Sequence, residues 1–153
     1  ANALARRQAE KALRESEARL TLATNAAGAG LWIMELDTGA VWVSEIAREL
    51  FHFVPDEELT YESFFKVIHP EDRERVNADV AQPVQSGKSL RIDFRVVLPD
   101  ESIRWIGSRG HRYPSTDPDR LIGVSLDVTD RKRAEQVLEE RLRFERMLSY
   151  LRQ

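Results

Sequence analysis

The order of hydrophobic patterns along this chain of 153 residues limits its fold more than any single motif does. Two short apolar runs at residues 31–36 and 40–44 flank an Asp-Thr-Gly turn, which predicts a β-hairpin. Residues 44–84 change to a broken helical pattern, in which Pro55 and Pro70 predict the starts of separate short helices. Three further strands are predicted at residues 90–96, 103–113 and 121–129. Helices grouped between two sets of strands predict an α+β fold, with one antiparallel sheet covered by helices on a single face.

Two similar helical segments flank this predicted domain. Residues 6–15 and 131–140 align at a constant offset of 125 and are identical at five of the ten positions. Such a repeat is typical of modular arrays, although short segments rich in helix formers also match by chance. We therefore predict an N-terminal linker and dimerisation helix at residues 1–26, a central domain at 27–129 and a C-terminal helix at 130–153.

Both flanking helices carry apolar residues at the spacing of a coiled-coil seam. Leu13 and Leu20 are seven residues apart in the first helix, and Leu138 and Leu148 belong to a broader apolar stripe in the last. An apolar stripe left exposed on a monomer is costly. We therefore expect a homodimer in which these four residues form the seam.

Composition excludes several classes of function. The absence of cysteine rules out disulfides, thiolate metal sites and cysteine-linked cofactors. Residues 26–129 carry 11 basic and 18 acidic side chains, which disfavours nucleic acid as a partner. No apolar run approaches the roughly 20 residues of a membrane span. A cytoplasmic location is therefore expected, although the parent protein could be attached to a membrane through other segments.

The sequence predicts neither a catalytic set nor a metal site. It lacks a nucleophile elbow, a phosphate-binding glycine loop and a Ser-His-Asp constellation. His69 precedes a proline at a predicted helix start, where a capping role is favoured over metal binding. His52 and His111 have no second ligand at metal-binding spacing. We therefore expect this chain itself not to be an enzyme.

Five short motifs, in this order, resemble those of the PAS domain with its C-terminal PAC segment, a family of signalling modules. They are residues 14–20 (RESEARL), 36–39 (LDTG), 69–73 (HPEDR), 103–106 (IRWI) and 123–132 (GVSLDVTDRK). The resemblance implies a five-stranded sheet of order 2-1-5-4-3, a pocket between sheet and helices, and flanking helices that pass a signal onward. It implies a sensory or relay domain of a bacterial sensor, first of all a histidine kinase. The alternatives are a diguanylate cyclase or a non-sensory dimerisation spacer.

The PAS strand registers also assign the residues of the implied pocket. The inward-facing residues are Trp32, Met34, Phe51, Phe64, Phe65, Ile68, Phe94, Val96, Ile106, Ser108 and Ser125. The period-two alternation agrees with this set, although a one-residue slip would turn the strand residues outward. Such a pocket suits a small apolar or aromatic ligand held by Ser108 or Ser125. The simpler alternative is that these side chains fill the core completely.

The resemblance bears on cofactors as well. PAS photoreceptors that link a flavin or another chromophore through cysteine are excluded, because the chain has no cysteine. Haem-binding PAS domains usually place the iron ligand on the central helix, and residues 71–86 contain no histidine, so haem is disfavoured. The identity of any cofactor stays open.

The end of the last strand resembles a PAS signal-relay motif. Asp127 and Thr129 are expected to couple this strand to the exit helix, with Thr129 or Asp130 as the N-cap. Trp105 is expected on the outer face of the sheet, under the N-terminal helix. The implied partners are a second copy and a neighbouring PAS or output domain of the same chain.

Overall fold

The computed structural model describes residues 2–113 and 119–152, which form one antiparallel sheet of six strands flanked by helices. The strands are β1 (Gly30–Glu35), β2 (Ala40–Val43), β3 (Leu59–Thr60), β4 (Leu90–Val97), β5 (Ile103–Tyr113) and β6 (Arg120–Asp127). Their spatial order is β3-β2-β1-β6-β5-β4. The expected count of five strands is therefore wrong, and the full order differs from 2-1-5-4-3 because β3 is added at one edge. The five predicted strands keep the expected order among themselves. The additional strand, β3, pairs with the edge of β2, and its two residues are too few to produce an alternating pattern.

The helices lie between β2 and β4 and at the two ends of the described chain. They are α1 (Asn2–Ala26), α2 (Glu45–Phe51), α3 (Tyr61–Val67), α4 (Arg73–Ser86) and α5 (Thr129–Leu151), with a 3₁₀ turn at Pro70–Asp72. The helix predicted to start near Pro55 is wrong, because Asp56 has a left-handed backbone (φ 66°) and the next helix begins only at Tyr61. Ser63 defines that start by accepting a hydrogen bond from the Thr60 amide at 3.0 Å.

The hydrophobic core lies between the sheet and helices α2 to α4. In β4, Leu90, Ile92, Phe94 and Val96 are buried, and the residues between them point to the outer face. Helix α2 packs on β1 and β6, whereas α4 packs on β4 and β5. The helices between β2 and β4 therefore cover one face of the sheet.

Two glycines make room for an aromatic ring at the centre of this core. A Cβ atom at Gly110 or Gly123 would overlap the indole ring of Trp32. The ring therefore packs directly over the backbone of β5 and β6. This packing fixes one wall of the space described below.

Both terminal helices leave most of their surface uncovered. Leu13, Leu20 and Leu138 are each more than half exposed, whereas Leu148 is partly buried. The repeat seen in the sequence extends to matching ion pairs one helical turn apart, Arg6 with Glu10 (3.9 Å) and Arg131 with Glu135 (4.0 Å). Within residues 2–113 and 119–152, no helix has the length and hydrophobicity needed to cross a membrane.

Candidate functional site

A cavity of about 70 Å³ lies between the sheet and helices α2 to α4. Its walls are mostly apolar, because the inner faces of the strands and the facing sides of the helices supply aliphatic and aromatic side chains. Eight of the predicted pocket residues line it: Trp32, Met34, Phe51, Phe64, Ile68, Phe94, Ser108 and Ser125. The structure thus brings most of the predicted set around one space.

Three predicted pocket residues do not line the cavity. Val96 and Ile106 are fully buried on the same face of the sheet, but they pack beyond the cavity wall. Phe65 is only partly buried and lies beside Tyr61, with ring centroids 6.1 Å apart. Successive helical residues point about 100° apart, so Phe64 and Phe65 cannot both face the cavity.

Sequence reasoning missed seven lining residues. They are Val41, Tyr61, Val76, Val80, Leu90, Ile92 and Leu121. A signal existed for some of them: Leu90 and Ile92 continue the alternation of Phe94, and Val76 and Val80 are spaced one helical turn apart. Tyr61 gave no such signal, because its position depends on where α3 begins.

Two serine side chains interrupt the apolar lining of the cavity. Ser108 and Ser125 are opposite each other on β5 and β6, and their hydroxyl oxygens are 2.7 Å apart. Both side chains are buried. Because a hydroxyl has one proton and two lone pairs, the two hydroxyl groups satisfy each other within the otherwise apolar wall and keep lone pairs unused.

The end of α2 forms an aromatic wall. Phe51, its last residue, contacts Phe64 edge to face at 4.8 Å and stacks near Phe94 at 6.2 Å. Arrangements of this kind contribute beyond the area they bury. The last residue of α2 therefore forms part of the cavity wall.

Tyr61 separates the cavity from the surface. It lines the cavity together with Met34 and Val80, and these three residues also line a depression between the β1–β2 hairpin and α4. Its hydroxyl donates to Asn77 Oδ1 on α4 at 3.2 Å. Burial raises the pKa of the Tyr61 phenol. Tyr61 and its hydrogen bond therefore form a thin wall at the mouth of the cavity.

The three histidines lie away from the cavity lining. His69 caps the 3₁₀ turn, since its Nδ1 accepts a hydrogen bond from the Glu71 amide at 3.1 Å. His111 Nδ1 is 3.0 Å from the Ser89 hydroxyl, and His52 ends α2 in a left-handed conformation. The described residues contain no group of three or more histidine or acidic side chains able to hold a metal ion.

Asp127 and Thr129 meet at the junction between β6 and α5, which we name the exit junction. Asp127 Oδ1 accepts hydrogen bonds from the Thr129 amide at 2.9 Å and the Thr129 hydroxyl at 2.6 Å. The Thr129 hydroxyl in turn accepts from the Trp105 amide of β5 at 2.9 Å. The predicted cap by Thr129 or Asp130 is wrong: Val128 is the N-cap, without a side-chain cap bond. The Thr129 side chain bonds to β5 instead of to the helix.

A charged cluster on the outer face of the sheet holds the first turn of α5. Asp93 of β4 is 2.8 Å from the Arg131 guanidinium and 3.1 Å from Lys132 Nζ. Burial raises the pKa of Asp93, but hydrogen bonds and charge from Lys132 and Arg131 outweigh it and lower the pKa below its usual range. The sequence gave no signal for this cluster, because its members are 38 positions apart or more.

Trp105 lies on the outer face, as expected, but not under α1. Lys132 Nζ is 5.1 Å from the ring centroid and the Arg95 guanidinium is 5.6 Å from it, on the scale of cation–π contacts. The side chains of α1 are nearly all exposed, so that helix does not cover the ring. The predicted docking under α1 is therefore wrong, and the partner helix is α5.

Comparison with known proteins identifies the family to which this fold belongs. A family model described as the PAS fold matches residues 40–125. The chain belongs to the PAS fold family. Its sequence is similar to the sensor domains of histidine kinases.

Individual relatives place it among signalling proteins. The chain is 29% identical over 120 residues to a blue-light-activated histidine kinase of Brucella anthropi, covering 78% of this chain and 24% of that protein. It therefore spans about a quarter of that relative. A crystal structure of a sensory box histidine kinase/response regulator from Burkholderia thailandensis is 35% identical, with a TM-score of 0.70, covering 84% of this chain and 98% of that one. The N-terminal domain of a Marinobacter aquaeolei diguanylate cyclase with a PAS/PAC sensor shares the fold at 21% identity and a TM-score of 0.62, over 68% and 98% of the chains.

Proposed function

We propose that this PAS domain senses a small ligand in its cavity and relays the change through α5 to the output domain of a bacterial histidine kinase, which lies outside this chain. The observation that carries the proposal is the short path from cavity to helix. Ser108 and Ser125 line the cavity on β5 and β6. The same two strands carry Trp105 and Asp127, which bond to Thr129 at the start of α5.

The proposed ligand is small and mostly apolar or aromatic. A volume of about 70 Å³ exceeds the roughly 10–15 Å³ needed for one water and is far below the roughly 300–1,000 Å³ of sites for drug-sized molecules. The serine pair favours a ligand with one hydrogen-bonding group. Haem fits poorly, because no histidine lines the cavity, and a cysteine-linked flavin has no attachment point.

The proposed active form is a homodimer. The exposure of Leu13, Leu20 and Leu138 supports helix pairing, with Leu148 completing the seam. In this proposal residues 1–26 form the dimerisation helix, residues 27–129 the sensory domain and residues 130–153 the signalling helix, which contacts a neighbouring PAS or output domain. The domain works in the cytoplasm.

Two alternatives remain as competing proposals. A non-sensory spacer would keep the dimer and the exit junction but bind nothing in the cavity. In the second alternative the domain still senses a ligand, but α5 passes the signal to a diguanylate cyclase domain instead of a histidine kinase domain.

Xenon tests the cavity without knowledge of the natural ligand. It is small and apolar and enters dry cavities lined by apolar side chains. In ¹³C-methyl NMR spectra under xenon pressure, we expect saturable shifts at Met34, Ile92 and Leu121, which line the cavity. Ser125→Leu, which fills the cavity, should abolish the shifts. Shifts that do not saturate or that spread over exposed methyl groups would favour the spacer.

The output is tested in the full-length parent protein. Autophosphorylation should respond to the ligand that native mass spectrometry or extraction identifies in the purified protein. The Ser125→Leu variant should hold the activity at one fixed level. An unchanged ligand response in that variant would contradict sensing through the cavity.

A further inference from the structure

Arg104 joins the cavity wall to the exit junction. This β5 residue donates from one guanidinium nitrogen to the carbonyl oxygens of Glu49 at 3.0 Å and Leu50 at 2.6 Å, both in the last turn of α2. Its Nε lies 3.5 Å from Asp127 Oδ2. The side chain is 27% exposed, so solvent reaches these contacts only partly. One rigid group therefore touches both α2 and Asp127.

The α2 end of this contact responds to the cavity. Leu50 and Glu49 precede Phe51, which lines the cavity and packs against Phe64 and Phe94. Because Phe51 is packed between Phe64 and Phe94, displacement of its ring is expected to move the last turn of α2 and its carbonyl oxygens. Arg104 is the side chain that holds two of those oxygens.

The other end leads directly into α5. Asp127 Oδ2 faces Arg104, and its second carboxylate oxygen accepts both hydrogen bonds from Thr129. Because a carboxylate is rigid and planar, a shift of the guanidinium changes the orientation of the oxygen that holds Thr129.

We propose that Arg104 is the positioning residue that transmits displacement of α2 to the exit junction, an inference that rests on the proposed sensing by the cavity. The guanidinium suits this role because its donors have a fixed planar geometry, whereas a lysine ammonium is a flexible point charge. Arg104 does not line the cavity. It acts by coupling two elements that would otherwise move independently.

The structure provides a matched control on the same strand. Arg112 also donates to a helix carbonyl, that of Val84 in α4, and also pairs with an aspartate, Asp119. Asp119 precedes β6 and lies far along the strand from the exit junction. Removing Arg112 therefore removes contacts of the same kinds, to a helix carbonyl and an aspartate, without cutting the proposed connection.

The test records xenon-induced shifts in two places, at the cavity methyl groups and at the backbone amides of Thr129, Asp130 and Arg131. In the unaltered protein both sets should shift with the same pressure dependence. Arg104→Met should keep the methyl shifts and reduce the amide shifts at least fivefold. If Arg104→Met folds poorly, Arg104→Lys should likewise keep the methyl shifts and reduce the amide shifts. Arg112→Met should leave both sets of shifts unchanged.

The outcomes separate the two proposals. Amide shifts that persist in both Arg104 variants would overturn the role of Arg104 while leaving cavity sensing intact. Absence of methyl shifts in the unaltered protein would overturn both. A second measurement needs no ligand: Phe51→Leu should change hydrogen-exchange protection of the Lys132 amide several-fold, and Arg104→Met should remove that effect. Equal effects of Phe51→Leu with and without Arg104 would overturn the coupling.

Discussion

Thr129 offers a direct test of the exit junction, because its single hydroxyl group bonds both to the Trp105 amide and to the Asp127 carboxylate. Replacing Thr129 by valine keeps the shape and removes only the hydroxyl. The Trp105 amide then loses its acceptor, and Asp127 loses a bond of 2.6 Å. Thr129→Ser keeps the hydroxyl and serves as the matched control.

The size of the effect follows from the burial of the two partners. The Trp105 amide lies in a strand with neighbours on both sides, so leaving it unpaired costs about 1–3 kcal/mol. The Asp127 side chain is 46% exposed, and water can replace most of the lost bond. We therefore expect Thr129→Val to lower the free energy of unfolding by about 1–3 kcal/mol, chiefly through the amide. For a chain of this size the melting temperature should fall by about 2–12 °C.

Urea unfolding of Thr129→Val and Thr129→Ser measures the free energy of unfolding of each variant. Hydrogen exchange shows which amides lose protection. The Trp105 and Lys132 amides should exchange faster in Thr129→Val but not in Thr129→Ser. A loss below about 0.5 kcal/mol would mean that the junction bonds are replaced by water and cannot transmit a signal. The same result in both variants would refute the role assigned to the hydroxyl.

Three further predictions concern charge, access and assembly. The carboxylate of the buried Asp72 accepts hydrogen bonds from the Arg95 guanidinium at 2.7 Å and from the Arg95 amide at 2.8 Å. Burial raises the pKa of Asp72, but the hydrogen bonds and charge of Arg95 outweigh this and lower the pKa below the ordinary value of 3.8. Asp72→Asn should therefore lower the free energy of unfolding by about 3 kcal/mol at neutral pH. This difference from the unaltered protein should shrink as the pH falls through the folded-state pKa of Asp72. A difference that urea titrations show to be independent of pH would contradict the prediction. A Ser125→Cys thiol placed in the cavity wall reports access to the cavity. Tyr61→Phe should increase the rate of alkylation of this thiol by about tenfold, as expected for loss of one hydrogen bond. An unchanged rate in mass spectrometry would mean that the reagent enters elsewhere. Leu20→Glu should weaken self-association by at least about tenfold in sedimentation experiments, whereas Arg14→Glu, off the seam, should not; equal effects would argue against the seam.

Sequence patterns predicted the parts of the fold that depend on local periodicity. The alternation in β4 correctly indicated its inward face, and eight lining residues followed from such alternation and from the resemblance to PAS domains. Phe65 was misplaced because the phase of α3 depends on a start that Thr60 and Ser63 define. Strand β3 was missed because two residues carry no period.

The contacts that connect α5 to the sheet could not be predicted, because they join distant positions. Asp93 precedes its partners Arg131 and Lys132 by almost 40 residues, and a single sequence contains no information on which acid meets which base. The motif at Asp127 and Thr129 was visible, but its bond to Trp105 required the register of β5. The local sequence suggested that Thr129 caps α5, whereas in the fold its hydroxyl accepts a hydrogen bond from the Trp105 amide of β5.

The anchoring of α5 also has a mechanical consequence. Its first turn is attached to three neighbouring strands, through Asp93 on β4, Trp105 on β5 and Asp127 on β6. Beyond this base the helix continues to Leu151 almost without further support. At 1.5 Å per residue it is a lever about 35 Å long, so a tilt of only about 5° at its base would move its tip by about 3 Å. Displacements too small to alter the sheet visibly would thus become large at the far end of α5.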